Sequence, residues 1–131
     1  MSKKDIIKRY LSLLESFNCE EKDFSAILDS TFVQVEYPNI LNREGQKSNF
    51  SEILQRVALG KKMLSKQAYK VVNFIEQGNQ VVVEAEWSGT MAIDAGVLKA
   101  GSQMKAMFCF VCEFKEEKIV SQRNYDCFFP F

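Results

Sequence analysis

MKAMFCFVCEF (residues 104–114), KEEK (115–118) and IVSQRNYDCFFPF (119–131) decide the fold of this chain. In the first run Met104, Ala106, Phe108, Phe110, Cys112 and Phe114 alternate with other residues. Period 2 is the signature of a strand with one buried face. The charged tetrapeptide is a turn, and the last run returns as a second strand. That strand spends Gln122, Arg123, Asn124 and Asp126 on polar groups amid aromatic neighbours. Burying such groups unpaired costs free energy, so they imply a polar purpose. This hairpin is expected to be the middle of a curved sheet, with Asp126 its most informative carboxylate.

Working back, AYKVVNFIEQ (68–77) and QVVVEAEWSGTM (80–91) flank Gly78-Asn79, a hairpin signal. Val81, Val83, Ala85 and Trp87 share one face of the second strand. AIDAGVLKAGSQ (92–103) reads as a connecting loop. Nearer the start, Ile6, Tyr10, Leu13, Leu14 and Phe17 fall at helical spacing over residues 3–17, with Ser2 and Asp5 in a capping pattern and Asn18 as the stop. A second helix is expected over Asp23–Ser30. FVQVEYPN (32–39) follows as a β run closed by Pro38, and LNREGQKSN as a loop. Asn49 and Glu52 cap a third helix, which Gly60 interrupts or ends. Helices early and antiparallel strands late give an α+β layout in one domain over residues 1–131.

Composition narrows the function. The chain has 131 residues, 47% of them apolar, and its 17 basic and 17 acidic side chains leave no net charge. No Lys/Arg-rich stripe points to nucleic acid. No signal peptide or bilayer-spanning run is read, so a soluble, cytoplasmic protein without membrane contact is expected. There is no histidine, which removes Ser-His-Asp and Cys-His catalysis and His-ligated metal. Acid–base work falls to carboxylates, Tyr, Lys or Cys. Cys109 and Cys112 form a C-x-x-C, but positions three apart on a strand face opposite ways. All four cysteines, with Cys19 and Cys127, are expected reduced, and no metal site is expected.

On VEYPNIL (35–41) with Gly45, VVVEAEWSGTM (81–91) and above all IVSQRNYDCFFPF (119–131), the chain resembles the SnoaL-like polyketide cyclase group of the nuclear transport factor two-like superfamily. The resemblance covers nearly the whole chain. It implies a cone-shaped α+β barrel, with three N-terminal helices packed in a curved, mainly antiparallel sheet that encloses an apolar pocket. It also implies a homodimer. In the cyclase branch a final-strand aspartate is the acid–base group, and Asp126 is the position that matches it. Several enzymatic members add a histidine, which this chain lacks.

Asp126 has three readings: a pocket acid or base, half of a structural ion pair, or a solvated rim residue. Asn124 shares its face and can donate to a ligand carbonyl. Trp87, Tyr37, Tyr69, Phe108 and Phe110 are candidate pocket walls, although each such residue is more often plain core than ligand wall. Three functions stay open. The first is a cofactor-independent cyclase- or isomerase-type enzyme on a small apolar, carbonyl-bearing or polycyclic molecule. The second is non-catalytic binding of such a molecule. The third is a protein-interaction module using the sheet face. Apolar positions on both sides of a strand, such as Val82 beside Val81 and Val83, place the expected dimer contact on the outer face.

Overall fold

In the computed structural model, which describes residues 1–131, Ser2 caps the first helix as its spacing predicts. The Asp5 amide donates to Ser2 Oγ at 3.1 Å, and α1 (Lys3–Glu15) buries Ile6, Ile7, Tyr10, Leu11 and Leu13. The helix stops at Glu15, short of the expected residue 17. Phe17 takes a left-handed φ of 54°, its amide donates to the Leu14 carbonyl, and the Asn18 amide donates to the Leu13 carbonyl. These two bonds are a Schellman stop, usually made by glycine.

Helix α2 (Glu21–Ser25) is shorter than the expected Asp23–Ser30. Sheet pairing wins residues 27–30: the Ile119 amide donates to the Ile27 carbonyl at 2.8 Å, and Leu28 sits beside Ile119. Strand β1 (Leu28–Glu36) therefore begins before residue 32. The expected loop after it also contains a strand. β2 (Gln46–Asn49) pairs antiparallel with Val33–Glu36. It has no apolar alternation and buries only Ser48, so nothing in its own residues announces it. The capping box of Asn49 and Glu52 starts α3 (Phe50–Met63), as expected. Gly60 does not interrupt this helix; it faces Phe17, and a Cβ there would lie 3.8 Å from the Phe17 ring.

Four long strands complete the chain: β3 (Leu64–Gln77), β4 (Gln80–Met91), β5 (Gln103–Lys115) and β6 (Lys118–Phe128). The sheet order is β2-β1-β6-β5-β4-β3, so the hairpin of β5 and β6 is central, as its reading requires. All pairings are antiparallel except β1 with β6. The result is a mixed six-stranded sheet curved over three helices, a cone-shaped α+β fold.

Period 2 holds along the central strands. Val81, Val83, Ala85 and Trp87 are buried together, as are Met104 through Phe114 at every second position. Cys112 points inward, Cys109 outward, and all four cysteines are free. The inner face is not uniform along its length. At the Val81–Val83 and Phe110–Phe114 end it is filled by α1 and by Phe24, Leu28 and Phe32. At the Trp87–Met91 and Met104–Phe108 end it is left open.

Candidate functional site

The open end of the cone is a cavity of about 730 Å³ between α3 and the sheet. Of its 29 lining residues 19 are hydrophobic, so a ligand inside it sheds water over most of its surface. The aromatic side of the wall comes from β3, β4, β5 and the end of β6. Trp87 stacks on Phe108 with centroids 5.3 Å apart, Phe128 meets both rings edge-on, and Tyr69 leans on Phe108 at 6.1 Å. Gly89 makes room for the indole, because a Cβ there would come within 2.6 Å of the Trp87 ring. The Trp87 indole N–H donates to Gln67 Oε1 at 3.0 Å, which fixes the ring's tilt.

The polar side comes from β1, β6 and α3. Gln122, Asn124 and Asp126 share the inner face of β6, and Gln34 and Glu36 lie beside Gln122 and Asn124 on β1. Arg56 reaches down from α3. Its Nη1 donates to Gln34 Oε1 at 3.0 Å and its Nη2 to Glu36 Oε1 at 2.5 Å, and Asn39 Nδ2 donates to Glu36 Oε2 at 2.9 Å. Asp126 makes no ion pair. It accepts from Asn124 Nδ2 at 3.4 Å. Burial raises its pKa to about 6, and the nearby Glu36 carboxylate adds to the rise. The Asn124 hydrogen bond and Arg56 oppose it. The Tyr69 phenol is pushed well above its ordinary value, first by burial and then by the Asp126 charge. It therefore stays protonated, a neutral donor in the same cavity.

Asp126, Asn124, Trp87, Tyr69 and Phe108 thus line one cavity. Tyr37 and Phe110 do not. Tyr37 lies beyond the end of β1 on the outer side, 37% exposed and stacked on Tyr125 at 4.8 Å. Phe110 is 1% exposed and belongs to the filled end of the cone, two residues from Phe108 on the same face. Their aromatic character could not tell wall from core; only the depth at which the helices stop filling the sheet does.

Arg56, Glu36 and Gln34 were missed in the sequence, although each left a trace. FVQVE reads as a strand whose inner face its own residues leave open; Gln34 and Glu36 point inward, because β1 pairs with the polar stretch of β6. Arg56 stands between Ile53 and Gly60 on the inner side of α3. A cation on an apolar stripe is itself a signal.

No family model matches the chain, and no curated protein matches it. Solved structures do. The chain is similar to IdmH of Streptomyces antibioticus, a candidate polyketide cyclase, with a TM-score of 0.80 at 14% identity over 96% of this chain and 92% of that one. It is similar to a SnoaL-like polyketide cyclase of Agrobacterium tumefaciens (TM-score 0.73, 11% identity, 96% and 91% covered). A protein of Catenulispora acidiphila with a ketosteroid isomerase-like fold, bound to trimethylamine, gives a TM-score of 0.73 at 14% identity, with 92% and 84% covered. These likenesses establish the fold: a SnoaL-like, ketosteroid isomerase-like cone.

Proposed function

We propose that this protein binds a small, largely apolar, carbonyl-bearing molecule in the cavity and moves a proton on it with Asp126, in a cofactor-independent cyclase- or isomerase-type reaction. The observation that carries this reading is a carboxyl lifted to about 6 in a mostly apolar cavity, without a cation bonded to it. A general base works best with a pKa near the working pH. Asp126 would take the proton from the carbon beside the carbonyl, leaving its electron pair in an enolate. The Tyr69 hydroxyl or the Asn124 amide would hydrogen-bond the enolate oxygen. In a β,γ-unsaturated ketone the enolate extends over the neighbouring double bond and regains the proton at its far carbon, which moves the double bond and isomerises the molecule. Alternatively it attacks a second carbonyl of the same molecule, closing a ring, and Asp126 returns the proton to the new alkoxide. The cyclase names of the structures above support this class without naming a substrate.

Trp87 is the only tryptophan and stands in the wall, so its fluorescence reports occupancy. Aryl ketones that quench it should gain deuterium from D₂O beside the carbonyl faster with the protein than without it. Ketones that bind with no protein-dependent exchange would favour the non-catalytic binding reading.

The outer face of the sheet suits a homodimer in this proposal. Ile75, Tyr37 and Tyr125 are exposed there, and an isologous contact between two such faces would cover them. Sedimentation at high micromolar concentration should give twice the chain mass; a single-chain mass removes the dimer.

A further inference from the structure

The polar wall contains a chain of side-chain amides that begins on α1, across the cavity lining from Asp126. Tyr10 on α1 is buried, and its hydroxyl donates to Gln122 Oε1 at 2.7 Å. Gln122 Nε2 donates to Asn124 Oδ1 at 2.6 Å, and Asn124 Nδ2 donates to Asp126 Oδ1 at 3.4 Å. A second arm meets the first. Arg56 Nη1 donates to Gln34 Oε1, and Gln34 Nε2 approaches Asn124 Oδ1 at 3.5 Å.

An amide can sit either way round, so something must set its direction. A guanidinium has donors only, so Arg56 holds Gln34 with its oxygen toward α3 and its N–H group toward Asn124. A tyrosine hydroxyl can accept as well as donate. If Gln122 were reversed, however, the Tyr10 proton would lose its acceptor: Gln122 Oε1 is its one hydrogen-bond partner, and the Phe24 ring stands edge-on at 6.4 Å. An orphaned buried donor is costly. Both arms therefore aim an N–H at Asn124 Oδ1, which leaves the Asn124 N–H group facing Asp126.

We infer that Tyr10 and Arg56 are positioning residues: through Gln122 and Gln34 they fix the orientation of Asn124, so that Asp126 always meets an N–H donor and never a carbonyl oxygen. This rests on the reading of Asp126 as the acid–base group. Neither Tyr10 nor Arg56 bonds to the Asp126 carboxyl itself. The charged and titratable groups facing Asp126 are Glu36 on β1, Arg56 on α3 and Tyr69 on β3. Cutting the Tyr10 arm changes none of those charges. Its effect reaches Asp126 through the amides alone.

The test is the ¹³C-detected titration of the Asp126 carboxyl, which needs no substrate, in the native protein and in Tyr10→Phe, Asn124→Ala and the double variant. With Tyr10→Phe, Asn124 is held less firmly and its hydrogen bond to the carboxylate weakens. The Asp126 midpoint should rise by about half a pH unit. In the Asn124→Ala background the same substitution should leave the midpoint unchanged, because the link is already cut. Gln34→Leu, at a half-buried position, tests the second arm by the same comparison should Tyr10→Phe fail to fold. An unchanged midpoint in a folded Tyr10→Phe protein, or an equal shift in both backgrounds, overturns the inference. Coupling that persists while Asp126→Asn keeps full turnover would retain the orienting chain and discard the acid–base reading.

Discussion

Asp126→Asn should lower turnover by about 10²- to 10⁴-fold, the range of a lost general base, while ligand affinity stays within a few-fold. Asn keeps the shape and an acceptor for Asn124, but it cannot take a proton. The same substitution should stabilise the fold at neutral pH. Asp126 titrates at about 6 in the folded protein against about 3.9 in an unfolded chain. A carboxyl with a raised folded pKa contributes stability that is fully present below the unfolded value and is lost as pH rises through the folded one. The native protein therefore carries a penalty at pH 7 of roughly 2–3 kcal/mol that the Asn variant lacks. The gap between the two denaturation midpoints should open between about pH 4 and pH 6. A variant less stable than the native protein at pH 7 would instead mark Asp126 as a structural group, since orphaning a buried partner is what carries a large cost.

Arg56→Met should destabilise the fold by about 2–3 kcal/mol, less than the loss of a fully buried pair, because the guanidinium is one-third exposed. The Glu36 side chain is only 12% exposed and would keep a single neutral donor, Asn39. It would also face Asp126 with no cation between them, and Arg56 holds the Asp126 pKa down. The Asp126 midpoint should therefore move above 6, and the variant should recover stability as pH falls below it. Adding Glu36→Gln should restore half or more of the loss, since it removes the orphaned charge. Urea denaturation of the two single variants and the double variant measures this directly. A double variant no better than Arg56→Met would mean that Arg56 acts by packing over the cavity and not by pairing.

The residues themselves determined more of the fold than of the site. Strict alternation along Met104–Phe114 and Val81–Trp87 could satisfy only a strand with one buried face, and the turns at Gly78-Asn79 and Lys115–Lys118 left one way to connect them. Asn49 with Glu52 and Ser2 with Asp5 placed two helix starts to the residue, because caps are local hydrogen bonds. Period 2 also put Gln122, Asn124 and Asp126 on one face. Contacts between distant segments decided the rest. β2 is a strand only because β1 offers it an edge, and Ile27 leaves its helix only because Ile119 donates to it. Whether an inward aromatic is wall or core depends on where α1 stops filling the cone, so Phe108 lines the cavity and Phe110 does not. Tyr10 meets Gln122 on the Asp126 strand across 112 residues of chain, and Arg56 meets Gln34 on the neighbouring β1 across 22. That encounter is set by the closure of the whole sheet over its helices, and no stretch of sequence contains it.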